Sequence, residues 1–142
     1  MVIRFSIPGE PKGKGRPRLG RSGHAYTPHD TAAYENLVKV CFRDQFPEHI
    51  PLDSDVAVKV EILAGYSMPK SASKKKQHEM RLNIIHPLKK PDCDNIAKII
   101  CDALNGIAYH DDSQIYNLTV RKFYSGMPQV SVKMEWEDGT ES

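Results

Sequence analysis

A chain of 142 residues is the size of one ordinary domain and can bury a core without disulfide staples. Hydrophobic residues make up 39% and charged residues 27%, the balance of a soluble globular protein, and no apolar run approaches the roughly 18–20 residues that a membrane span needs. The net charge of +2 hides two basic segments: six Lys/Arg against two Asp/Glu in residues 1–30, and seven against one in residues 70–90.

"VIRFSI" alternates apolar and polar residues and reads as a strand. "PGEPKGKGRPRLGRSGHAYTP" is rich in Gly, Pro and cations, which makes residues 8–26 a basic loop or extended arm. A helix follows, with Thr27 as N-cap, Pro28 in the first helical position and Asp30 complementing the positive helix end. Tyr34, Leu37, Val38, Cys41 and Phe42 recur at helical spacing and form its buried face. "DVAVKVEIL" is a half-buried strand, with Val56, Val58, Val60 and Ile62 inward. Ser71 or Ser73 caps a short, very basic helix, and "IIHPLKKP" is a second loop. Ile96, Ile99, Ile100, Ala103 and Leu104 mark a strong amphipathic helix ended by Asn105-Gly106. "SQIYNLTVRKFYS" and "QVSVKMEWE" are two strands around "GMP", expected to pair as a hairpin, and residues 137–142 form a frayed tail.

This order predicts a single α+β domain over residues 1–142. Its sheet is mixed and mainly antiparallel, of about four strands, with helices packed on one face. The N-terminus shows no apolar core with a cleavage site, so no secretory signal is expected. The three cysteines make no CxxC pair, which argues against a zinc site or disulfides and fits a reducing cytoplasm. Cys93 and Cys101 are expected to pack as small apolar residues.

The acidic residues gather in "PDCDNIAKIICDALNGIAYHDD". Asp94 and Lys98, four residues apart, share the helix face opposite the isoleucine stripe. Asp92 stands at the helix start, where the dipole and free N–H groups favour carboxylates. A helix over 94–105 is roughly 18 Å long. The seven residues from Gly106 to Asp112 reach roughly 23 Å, so they can return Asp111 and Asp112 towards Asp92 and Asp94. Converging carboxylates repel unless a cation sits among them, and hard oxygen ligands suit Mg²⁺, with Mn²⁺ a plausible substitute. Such an ion can bind a phosphate oxygen and activate water, with Lys98 beside the attacked phosphate. The same residues also read as a helix cap, an ordinary i,i+4 ion pair and a turn, and spacing alone leaves both readings open. Basic segments on either side of the cluster are the footprint of a polyanion binder; each alone is also an ordinary solvated surface. No Walker-type loop accompanies Gly13-Lys14-Gly15, so no nucleotide cofactor is expected.

"KKPDCDNIAKIICDALNGIAYHDDSQI" resembles the signature of the RusA-like Holliday-junction resolvases, many of them phage- or prophage-encoded. "PGEPKGKGRPR" with "YTP" and Tyr34-Glu35, and "MPKSASKKKQHEM", resemble the family's N-terminal and middle basic blocks, so the likeness spans most of residues 5–125. The resemblance implies a small homodimeric, Mg²⁺-dependent endonuclease that cuts four-way DNA junctions by paired nicks, in DNA recombination and repair. It places the essential aspartates on Asp92, Asp94 and Asp112, with Asp111 the alternative to Asp112. It places the catalytic lysine on Lys98 and a supporting role on Asn95. DNA contacts are expected from Lys12, Lys14, Arg16, Arg18 and Arg21, and from Lys74, Lys75, Lys76, Lys89 and Lys90, which read no sequence if they touch only phosphates. The setting expected is the cytoplasm of a bacterial cell or phage-infected host, with no membrane partner.

Overall fold

The computed structural model describes residues 1–15, 18–19, 25–26 and 29–137. Thr27, Pro28, Arg16, Arg21 and the tail beyond Glu137 lie outside the described residues, and Arg18 is described only as backbone. In chain order the elements are β1 (Val2–Pro8), β2 (Arg18–Leu19), β3 (Ala25–Tyr26), α1 (His29–Gln45), β4 (Val58–Ser67), α2 (Lys74–Arg81), α3 (Cys93–Ala103), β5 (Ile115–Ser125) and β6 (Gln129–Glu135). A short 3-10 turn, Asp112–Gln114, leads into β5.

Four strands form one mixed sheet in the order β1-β6-β4-β5, and β2 pairs antiparallel with β3 as a separate two-stranded ribbon within the basic arm. β1 and β4 both run antiparallel to β6, while β4 and β5 run parallel. Alternation decides which side is covered. Phe5 and Ile7, Val58, Val60, Ile62 and Ala64, and Val130, Val132 and Met134 are all buried on one face. Tyr34, Val38 and Phe42 of α1 and Ile96, Ile99 and Ile100 of α3 join them in one core. A Leu- or Ile-sized side chain fully buried there contributes about 1.5–3 kcal/mol. The α+β class and the mixed four-stranded sheet match the expectation, and α1 and α3 pack on its one buried face.

β5 and β6 are not a hairpin. β4 lies between them and pairs with both. The reason is burial: β4 carries the densest run of buried positions, and an edge place would expose them. Gly126–Pro128 bridges the gap, and both ends of the connection crowd Gly65 of β4. A Cβ there would meet the Gln129 carbonyl at 3.1 Å and Ser125 Cβ at 3.3 Å, so the site takes glycine. Cys101 is buried as expected, but Cys93 is exposed, because it falls outside the isoleucine stripe in the first turn of α3.

Ser73 is the cap of the basic helix: its Oγ accepts from the Lys76 amide at 3.2 Å. Among the described residues, no helix is long and apolar enough to cross a membrane.

Candidate active site

α3 is built from two incompatible faces. Its isoleucine stripe is sealed against the sheet and α1, which turns Asp94, Lys98 and Asp102 to the opposite side at i, i+4 and i+8. After α3 the chain turns back at Gly106, whose φ of +75° suits glycine. Ala108 and Tyr109 are then fully buried, and the Tyr109 hydroxyl donates to the Cys101 carbonyl at 2.8 Å. This returning segment carries Asp112 alongside the helix, where its amide donates to Asn105 Oδ1 at 2.8 Å.

The 3-10 turn is fixed by Gln114, a buried polar residue. Its Nε2 donates to the carbonyls of Asp53 at 2.7 Å and Val56 at 3.0 Å, and its Oε1 accepts from the Asp111 amide at 2.9 Å. Asp111 caps the same turn by accepting from the Ser113 amide at 3.0 Å. The Ser113 side chain and amide hold the Asp111 carboxyl below its ordinary range. The two adjacent aspartates therefore differ: Asp111 closes a turn in solvent, and Asp112 faces α3.

Asp94, Lys98, Asp102 and Asp112 line one open depression of about 460 Å³, with Ala97, Cys101 and the start of β5 as its walls. Burial pushes the Asp112 carboxyl up, with Asp111 and the adjoining Asp102 adding to the shift and Lys98 opposing it. Burial also pushes the Cys101 thiol up to about 11, which leaves it a poor nucleophile. The chemistry of this depression thus belongs to carboxylates and amines. A larger groove of about 990 Å³ is lined by Asp53, Asp55, Glu135 and Glu137, a set that repels phosphate.

Asp92 is not among the residues lining the depression. It is the N-cap of α3 without a side-chain capping bond. Its charge is felt instead at Tyr66, whose phenol burial pushes up to about 12, with Cys93, Asp92 and Glu10 adding. Asp92 has an extended backbone and stands just outside the helix, so the helical repeat that aligns Asp94 with Lys98 and Asp102 does not carry it onto the same face. Among the described residues, no three His, Cys, Asp or Glu side chains are grouped closely enough to hold a metal ion. The expected convergence of Asp92, Asp94 and Asp112 on one point is therefore absent from this arrangement; Asp94 and Asp112 share the depression with Asp102 instead.

In the sequence Asp102 carries no expected site role, and Glu35 is named only within the N-terminal block of the resemblance. Asp102 Oδ2 lies 3.2 Å from Lys98 Nζ and 3.4 Å from Lys14 Nζ, and Lys14 also pairs with Glu35 at 2.6 Å. Burial pulls the Lys14 ammonium down, yet Glu35 and Asp102 more than offset this and raise it. The four-residue spacing of Asp94, Lys98 and Asp102 was a readable signal. The pairing of Lys14 with Glu35 left none, because the two are 21 residues apart.

The other expected DNA contacts divide. Lys12, Lys74, Lys75, Lys76, Lys89 and Lys90 are exposed. Lys89 and Lys122 both lie over the Tyr66 ring, at 5.9 and 5.2 Å from its centroid, and Lys122 donates to the Lys89 carbonyl at 2.7 Å. Lys14 is instead paired internally. Asn95 receives the arm: its carbonyl accepts from the Lys14 amide at 3.0 Å.

Residues 8–135 match the family Endodeoxyribonuclease RusA. The chain belongs to the RusA endodeoxyribonuclease family. Membership assigns the coarse activity, a nuclease hydrolysing phosphodiester bonds, with DNA as its partner. A Bacillus subtilis (strain 168) relative, "Uncharacterized protein YqaN", is 38% identical over 133 residues, covering 92% of this chain and 93% of its own. The likeness read from the motifs therefore extends over nearly the whole domain.

Proposed function

We propose that this protein is a Mg²⁺-dependent, structure-selective endonuclease that resolves four-way DNA junctions by paired symmetric nicks, as a homodimer, in DNA recombination and repair. The observation that carries the reading is the depression on α3, where Asp94, Asp112 and Lys98 meet in a family of DNA endonucleases. Mg²⁺ is commonly held by one or two carboxylates, with water and substrate phosphate filling its other positions. Asp94 and Asp112 supply such a pair; burial first, and the nearby Asp111 and Asp102 carboxylates second, push the Asp112 carboxyl up, and a divalent cation would offset both. Mn²⁺ has the same ligand preference and would substitute. The bound ion would supply an activated water and a Lewis acid for the phosphate.

In this chemistry Asp94 and Asp112 bind the ion. Asp92, the N-cap of α3, is the third ligand that the motif resemblance implies, although it does not line the depression. Lys98, with 61% of its side chain exposed, stabilises charge on the attacked phosphate. Lys12, Lys74, Lys75, Lys76, Lys89 and Lys90 hold the DNA arms through phosphates, and recognition rests on branch shape rather than base edges. Paired nicks need two reaction centres, which a two-fold dimer provides. The cytoplasm of a bacterial cell or phage-infected host is where such a substrate arises.

The test is nicking of a synthetic mobile four-way junction against linear duplex of the same sequence, with and without Mg²⁺. Symmetric, Mg²⁺-dependent nicks confined to the junction are expected. Equal cutting of the duplex would reduce the protein to a general nuclease, and preferential cutting of flaps or RNA–DNA hybrids would move it to another substrate.

A further inference from the structure

The N-terminal arm is not free to follow DNA at its glycine-lysine segment, because it is fastened to two helices. A Cβ on Gly13 would lie 2.8 Å from Pro91 Cβ and 3.0 Å from Asn95 Cβ, so the backbone passes directly against the start of α3. The Lys14 amide donates to the Asn95 carbonyl at 3.0 Å, and the Gly15 amide donates to Thr31 Oγ1 of α1 at 2.9 Å. The Lys14 ammonium then reaches between the helices, to Glu35 of α1 and Asp102 of α3.

One carboxylate oxygen, Asp102 Oδ2, thus takes two ammonium groups in different settings. The Lys14 side chain is 20% exposed and is not part of the depression's lining; the Lys98 side chain is 61% exposed and lines it. Drawing Lys14 out to a phosphate would leave Glu35, 18% exposed, without its partner, and stranding a desolvated charge is costly. With Lys14 in place, Asp102 has two ammonium partners, so Lys98 is not the sole counter-charge of this carboxylate. Without it, Asp102 would rely on Lys98 alone and draw that ammonium away from the phosphate.

We propose that Lys14 and Glu35 are positioning residues for hydrolysis at the α3 depression, acting through Asp102 on Lys98, and that Lys14 is not a phosphate contact. The assignment rests on the proposed nuclease reaction. Its test measures two quantities on each variant: the cleavage rate at saturating enzyme, and the junction Kd with its salt dependence in EDTA. Lys14→Met is expected to slow cleavage by about 10–100-fold, the usual loss for a residue that orients a catalytic group. Its junction Kd should stay within about twofold with an unchanged salt slope, since a phosphate contact would lower that slope by about 1. Lys14→Arg should restore most of the rate, and Glu35→Gln should slow cleavage in the same direction. Adding Lys14→Met to Asp102→Asn should cost little more than Asp102→Asn alone, because the two act on one path. These milder and paired variants carry the comparison if Lys14→Met fails to fold. Wild-type cleavage by Lys14→Met, or a loss confined to Kd and salt slope, overturns the inference and leaves the nuclease reading standing. A wild-type protein that cuts no branched DNA overturns both.

Discussion

The two basic segments look alike in the sequence and differ in the fold. On α2, Lys74, Lys75 and Lys76 are exposed, and none of them joins an ion pair among the described residues. In the arm, Lys14 is sunk between α1 and α3 with two carboxylate partners. The backbone around it explains the contrast. α2 is a short helix with a single buried residue, Met80, so its cations face outward. Among its described residues the arm has no helix of its own, and Gly13 and Gly15 bring it against other elements. Positive charge is thus disposed in two ways: outward on α2, where the proposed function has it meet phosphates, and inward at Lys14, where it holds the carboxylates of Glu35 and Asp102.

The sharpest way to break this contrast is at the centre that the arm supports. Asp112→Asn removes a proposed ion ligand and should lower the cleavage rate by about 100-fold or more, the loss of several kcal/mol of transition-state stabilisation. The same change should raise thermal stability in EDTA at neutral pH. The Asp112 carboxyl is raised in the folded protein, chiefly by burial, so the folded state binds the proton more readily than the unfolded one. Stability therefore falls as pH rises through that window, and the neutral amide removes the penalty. Thermal melts of both proteins at acid and neutral pH check the sign, with the gap closing at acid pH.

Gly13→Ala tests whether the arm is fastened. The added methyl would sit 2.8 Å from Pro91 Cβ, so either α3 shifts or the arm lifts. About 1–3 kcal/mol of lost stability is expected, the usual range for overpacking. Cleavage should be slower with Kd little changed, as read from denaturant melts and single-turnover assays. Replacing Lys74, Lys75 and Lys76 with Gln should give the complementary result. Junction binding weakens without regard to sequence, and the slope of log K against log salt shrinks by about 3. A smaller, structural effect follows from Gln114→Leu. It removes the side-chain donor to the Val56 carbonyl and the acceptor of the Asp111 amide, while the Asp53 carbonyl keeps the Val56 amide, and should cost about 1 kcal/mol in a denaturant melt.

Local features were readable in advance. The alternation in β1, β4 and β6, the isoleucine stripe of α3 and the Ser73 cap depend on neighbours a few residues away. The opposed faces of α3 put Asp94 and Lys98 together without any knowledge of the sheet. What depended on distant contacts was not readable. β4 entering between β5 and β6 is set by which strand is most deeply buried, and the three-residue link between β5 and β6 hid it. The returning chain did bring Asp112 to α3, but beside Asp102 rather than Asp92. The place of Asp92 was less legible, because a residue at the N-cap is oriented by the loop before the helix and not by the helical repeat.

The central claim is that the α3 depression is where DNA is cut. The direct measurement is four-way junction cleavage by Asp94→Asn in Mg²⁺, at enzyme concentrations where junction binding is measured and matched to wild type. The account predicts a variant that binds the junction as wild type does and leaves it uncut. An Asp94→Asn protein that cuts the junction at the wild-type rate would contradict it.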